Sequence, residues 1–203
     1  MNELNNLPEG MLAAVLAIVG VLVLAAAVVY CVYVKNLQDT LKAVRPQNRQ
    51  MQPAQVWLLL ISFLNIFLAI PIYFGLNGRL ALSSGLFSGM EYISGAISLF
   101  TLIWQFRIVQ KLSESIAQEY ASRNMQVEPK PTFQPGLIYC ILNLVSLLVG
   151  LLPRPVPGFG FAIGIGMIVY WIIYWVKTAA YKKEMRVMPE YNDNESDLFR
   201  NLY

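Results

Sequence analysis

The stretch Met11–Val34, MLAAVLAIVGVLVLAAAVVYCVYV, runs for 24 residues without a charge. Crossing a bilayer as a helix takes roughly 20 apolar residues, so this segment is long enough to span with some tilt. The whole chain shares the bias: of its 203 residues, 57% are hydrophobic and 13% are charged. A soluble domain carries about 25% charged residues. In water a chain this apolar exposes patches that drive aggregation, whereas in lipid the same surface is at home. The flank Met1–Gly10 holds Glu3 and Glu9 but no Lys or Arg, and a signal peptide starts with a basic region. Val28-Val29-Tyr30, before Cys31, lacks the small residues of a lipoprotein cleavage site. The segment is expected to remain as an anchor.

Four more apolar stretches follow. Val56–Phe74 comes after Pro53, which suits the first turn of a helix; it carries Asn65 mid-span and Pro71 near its far end. Gly75–Ser88 reads as a short loop. Gly89–Phe106 is apolar but includes Glu91, Thr101 and Gln105. From Ile108 to Asn124 the helix is expected to continue as an amphipathic segment: Ile108, Leu112, Ile116 and Tyr120 recur every four residues, and Gln110, Lys111, Glu114 and Gln118 fill the other faces. Pro129, Pro131 and Pro135 then make Val127–Gly136 a stiff linker. Leu137–Leu152 and Phe159–Val176 form a hairpin around Pro153-Arg154-Pro155-Val156-Pro157-Gly158. The first arm measures only about 24 Å at 1.5 Å per residue, so a re-entrant hairpin is the alternative to two crossings. The spans make one transmembrane domain over residues 1–186. Residues 187–203 carry Glu190, Asp193, Glu195 and Asp197 and are expected to be an acidic, disordered tail.

The basic residues fix an orientation. With the N-terminus outside and five crossings, the inside segments are 35–55, 107–136 and 177–203. They hold Lys35, Lys42, Arg45, Arg49, Arg107, Lys111, Arg123, Lys130, Lys177, Lys182, Lys183, Arg186 and Arg200, which is 13 of the 15 Lys and Arg. Only Arg79 and Arg154 fall outside. This is the positive-inside asymmetry of a membrane protein. Trp57, Trp104 and Trp175 lie near the expected inner boundary, as an aromatic belt requires. The fold expected is an all-α polytopic membrane helix bundle: five transmembrane helices, N-out and C-in, plus one cytoplasmic amphipathic helix.

Chemistry is sparse. The chain has no histidine, the commonest metal ligand and the usual base near neutral pH. Cys31 and Cys140 make no disulfide framework. Neither a nucleophile elbow nor a phosphate loop is present. No catalytic, cofactor-binding or metal-binding residue is expected, and no nucleic-acid partner. Four polar residues stand out in or near the spans: Asn65, Glu91, Gln105 and Asn143. As a set they are the candidate lining of a polar path. Singly, the asparagines suit interhelical hydrogen bonds of about 0.6–2 kcal/mol, and Glu91 suits a helix start at an interface. Gly160 and Gly164 have small-xxx-small spacing and are expected to let the last span pack closely on its hairpin partner. Lys182, Lys183 and Arg186 form a juxtamembrane basic cluster, either a topology signal or an attractor of anionic lipid. For the segment Ile108–Asn124, the expected contact is the apolar edge Leu37, Leu41 and Val44 of the same chain, with the membrane surface or a partner protein as the alternatives.

Two stretches carry a resemblance. One is Asn36-Leu37-Gln38-Asp39-Thr40-Leu41-Lys42, continuing through Pro46-Gln47-Asn48-Arg49 to Pro53-Ala54-Gln55-Val56-Trp57-Leu58. The other is Ile103-Trp104-Gln105-Phe106-Arg107-Ile108-Val109 with Leu112 and Ser113. With Tyr170-Trp171-Ile172-Ile173-Tyr174-Trp175-Val176-Lys177 they resemble a family of small uncharacterised Bacteroidetes-type multi-span inner-membrane proteins. The resemblance covers about the last four-fifths of the chain, and implies a bacterial cytoplasmic membrane and about four spans. It brings no activity and no functional residue. Here about thirty residues, Ala69 to Ser98, separate pieces that lie closer in that pattern. The expected function is therefore a non-enzymatic accessory, scaffold or sensor component acting through helix–helix and cytoplasmic-face contacts. Its partners are the lipid bilayer, other membrane proteins or a second copy. The alternative is a small transporter or channel subunit with Asn65, Glu91, Gln105 and Asn143 along its path.

Overall fold

The computed structural model describes residues 9–62, 84–150 and 158–188. Among them are four long helices: α1 (Glu9–Ala43), α2 (Ser84–Ala121), α3 (Phe133–Gly150) and α4 (Phe159–Val187). Two 3₁₀ segments, Pro46–Asn48 and Pro53–Ile61, follow α1. No strand occurs among the described residues. All four helices contain a segment long and apolar enough to cross a membrane, which fits a membrane protein.

The expected second span enters this structure only at its start. Its first residues belong to the nine-residue 3₁₀ segment Pro53–Ile61, long for a geometry that rarely runs past four residues. Residues 63–83 lie outside the described residues, so four crossing-length helices stand where the sequence predicts five. Two boundaries differ from expectation. Residues 84–88, expected in a loop, are already helical. Phe133–Gly136, expected in the linker, is the first turn of α3. Pro135 falls inside that turn, where the missing N–H has no helical partner to lose.

The elements close into a ring. α3 packs on α4, α4 on α1, and α2 on α3; the Pro53–Ile61 segment fills the gap between α1 and α2. Three helices outrun the bilayer. At 1.5 Å per residue α1, α2 and α4 are about 52, 57 and 44 Å long, against a hydrocarbon core of about 30 Å. The surplus turns hold the core. On α1 and the residue after it the buried positions run from Tyr33 to Val44, on α2 from Gln105 to Tyr120. Leu37, Leu41 and Val44 share one cluster with Ile108, Leu112 and Ile116. The other halves present bare apolar surface: Leu24, Ile93, Leu148, Phe161 and Ile168 are 54–76% exposed. That surface is too extensive for a water-soluble monomer.

Tight packing fixes the α2–α3–α4 junction. A Cβ on Gly136 of α3 would lie 2.6 and 2.8 Å from the two γ-carbons of Val109 and 2.9 Å from Tyr174 Cε2. Val109 is β-branched, so its χ1 is held by the helix, and the Tyr174 ring is fully buried. Neither group has room to yield. Gly160 and Gly164 behave differently from expectation: a Cβ at either meets nothing within 4 Å. The close approach of the hairpin falls at Gly166, whose Cβ would lie 3.3 Å from Leu142. Overpacking costs about 1–3 kcal/mol, so Gly136→Ala is expected to destabilise the detergent-solubilised protein by about that amount. Gly160→Ala should leave stability within about 0.5 kcal/mol. Thermal unfolding followed by circular dichroism checks both, and equal effects from the two substitutions contradict this packing.

Candidate functional site

The polar end is built around one carboxylate. Glu119 stands on the buried stripe of α2, three residues after Ile116, and its side chain has no exposed surface. It lies in the last turn of the helix, where the dipole disfavours negative charge. An unpaired carboxylate there would be very unfavourable. Five contacts compensate. Arg45 gives its backbone N–H to Oε2 at 3.0 Å and its Nε–H to Oε1 at 3.2 Å. Asn48 Nδ2 donates to Oε2 at 2.7 Å. Arg123, one turn on, donates through Nε at 2.8 Å and through a terminal nitrogen at 2.5 Å. Ser122 Oγ closes the ring of bonds, accepting from Arg45 and Asn48 and donating to the Glu119 carbonyl.

This arrangement anchors the turn after α1 to the end of α2, and further bonds extend the attachment. Gln50 donates its backbone N–H to Ser115 Oγ at 2.9 Å and its side-chain amide to Gln118 at 2.8 Å. The Trp104 indole donates to the Gln55 carbonyl at 3.0 Å. Residues 45–55 therefore form a strap laid along α2. Beyond it, the turn that follows α2 closes at Asn124 in the left-handed region, φ 54°, which asparagine tolerates.

A second polar seam joins α1 to α4. Asn36 Nδ2 donates to Thr178 Oγ1 at 3.2 Å, and Lys182 Nζ donates to Asn36 Oδ1 at 2.5 Å. Lys182 is thereby turned inward, while Lys183 and Arg186 remain exposed. The expected surface cluster keeps two of its three charges on the outside. Tyr120 and Glu184 tie α2 to α4 by a 2.5 Å hydrogen bond.

Of the expected intramembrane set, Gln105 is buried on α2 and Asn143 half-buried on α3. Asn143 donates to the Tyr139 carbonyl at 2.9 Å. Glu91 lies on α2, in its third turn; its side chain and all of Asn65 lie outside the described residues. Cys31 and Cys140 are free thiols, the second buried. The Tyr174 hydroxyl and the Trp171 indole N–H are buried without a partner among the described residues.

An open cleft of about 510 Å³ lies on the strap, lined by Pro46, Arg49, Gln50, Met51, Gln52, Pro53, Gln55 and Arg107. No group of three His, Cys, Asp or Glu side chains that could hold a metal occurs among the described residues. Comparison with protein families, with curated proteins and with solved structures gives no match to this chain.

Sequence reasoning missed the Glu119 cluster. The available signal was a carboxylate on an apolar stripe with Arg123 four residues on, since a charge in such a position needs partners. Breaking a buried ion pair costs about 3–5 kcal/mol. Arg45 and Arg123 keep 28% and 12% of their side-chain exposure, which places Glu119→Gln near the lower end, about 3 kcal/mol. Glu114→Gln, which breaks the more exposed pair with Lys111, should cost no more than about 0.5 kcal/mol. Chemical unfolding in detergent discriminates: similar losses from both substitutions contradict the structural role given to Glu119.

Proposed function

We propose that the protein is a non-enzymatic membrane component, an accessory, scaffold or sensor subunit that works by presenting its polar end to another membrane protein. The reading includes five spans, with N-out and C-in topology in a bacterial inner membrane. Its main support is the way buried polar groups are used. Glu119, Asn36, Ser115 and Thr178 all bind the chain's own elements together instead of facing a common reaction space. The result is a rigid, hydrogen-bonded end, which suits a contact surface that must keep its shape. The basic asymmetry of the sequence supports the orientation. The ring position of Pro53–Ile61, between α1 and α2, is compatible with a fifth span beginning there.

A second reading, a small transporter or channel subunit, is favoured by one observation: Gln105 is buried and Asn143 half-buried within crossing-length helices. Buried polar residues in a span often mark a conduction path, but hydrogen bonds between helices use the same residue types.

Photo-crosslinking in native membranes tests the first reading. A photoreactive residue at exposed polar-end positions, Gln47, Gln118 or Lys183, is expected to yield one defined heavier species. The same probe at lipid-facing Leu24 or Ile168 should yield none. Monomer alone from every position overturns the scaffold reading. Proton or cation flux in liposomes that is abolished by Gln105→Leu replaces it with the second.

A further inference from the structure

We propose that the strap cleft is a binding site for the phosphate of an anionic phospholipid headgroup. Its lining includes two arginines, Arg49 and Arg107, and three glutamines, with no carboxylate. Both arginines are positioned in advance. Arg49 donates Nε–H to the Val44 carbonyl at 2.7 Å and a terminal N–H to the Lys42 carbonyl at 3.0 Å, capping the end of α1. Its remaining terminal nitrogen has no partner among the described residues. Arg107 lies over the Trp104 ring, 5.7 Å from its centroid, a cation–π contact. It has no ion pair among the described residues.

The donors on Gln55 are arranged in the same sense. Its Oε1 accepts from the Gln52 backbone N–H at 3.3 Å, which leaves its NH₂ group unpartnered among the described residues. The lining therefore combines two guanidinium groups and a free amide, the donor set that phosphate oxygens take. Position selects the source of that phosphate. On α2 the exposed apolar surface, Ile103 at 55% and Phe106 at 40%, stops at Arg107, the first charge of the described apolar segment after residue 92. Trp104 and Trp57 lie at the same level of the sequence pattern, where indoles mark headgroup depth. A lipid whose chains cover Ile103 and Phe106 brings its phosphate to Arg107. This site requires no protein partner and stands or falls apart from the scaffold reading.

The intact protein in detergent, titrated with phosphatidylglycerol or phosphatidylcholine and examined by native mass spectrometry, tests the site. Phosphatidylglycerol is expected to be retained in preference. A charge near a lipid surface is worth about fivefold in affinity, so Arg107→Gln should lower retention by about that factor. Arg107→Lys, which keeps the charge but loses the guanidinium fork, should also lower it. Lys130→Gln, an exposed charge outside the cleft and outside the juxtamembrane cluster, should change it less than twofold. Equal losses from Arg107→Gln and Lys130→Gln, or full retention by Arg107→Lys, mean diffuse attraction and overturn the proposal. Inorganic phosphate and glycerol phosphate at millimolar concentration should not displace the lipid; displacement by either assigns the cleft to a soluble phosphate and overturns the lipid source. Arg107 makes no hydrogen bond to the rest of the described fold, and an unchanged unfolding midpoint for its variants is expected to separate loss of binding from loss of folding.

Discussion

A single carboxylate with no exposed side-chain surface, Glu119, holds the polar end of this molecule together. Burying a charge is favourable only if its partners are correctly placed. Here those partners come from two places: Arg45 and Asn48 after α1, and Arg123 in the turn after α2. Satisfying Glu119 therefore fixes where the chain leaves α1 and how residues 45–55 lie on α2. The strap in turn places Gln55 against Trp104 and brings Arg49 and Arg107 to one cleft. In an apolar chain with few charges, a demanding buried charge specifies one arrangement that greasy packing alone leaves open.

The second constraint is length. A bilayer covers about 30 Å of helix, and α1, α2 and α4 are longer. Inside lipid there is little hydrophobic drive to bring helices together, because acyl chains are as apolar as leucine. The part outside lipid regains that drive. This accounts for the gradient in burial. Val34, Leu37 and Leu41 are fully buried, while Val21, Leu22 and Leu24 on the same helix are 63–68% exposed. The protein is solvated by hydrocarbon at one end and packed like a soluble helical domain at the other.

Much of this was legible in the sequence. Length and hydropathy located α1, the later part of α2, and the α3–α4 hairpin, because a spanning segment is a local property. The four-residue recurrence of Ile108, Leu112, Ile116 and Tyr120 marked the face that the structure buries, and Leu37, Leu41 and Val44 marked the edge it meets. Pairings between distant residues left no local trace. Nothing near Lys182 shows that it turns toward Asn36, 146 residues away. Glycine spacing pointed to Gly160 and Gly164, yet the close contacts fall at Gly136 and Gly166, because proximity depends on which face meets a neighbour and not on spacing alone. Helix starts were displaced where prolines were read as breakers: Pro135 sits within the first turn of α3, a position that accepts it.

The division of the molecule between lipid and water can be measured directly. Nitroxide labels are placed one at a time in vesicle-reconstituted protein with Cys31 and Cys140 replaced by alanine. Collision with oxygen, which concentrates in hydrocarbon, is compared with collision with a water-soluble nickel chelate. Labels at Leu24, Leu148 and Ile168 should collide with oxygen and be shielded from nickel; labels at Gln47, Gln118 and Lys183 should show the reverse. Nickel access at Leu24 and Ile168 equal to that at Gln118 would contradict a bilayer-embedded apolar half and with it the whole account.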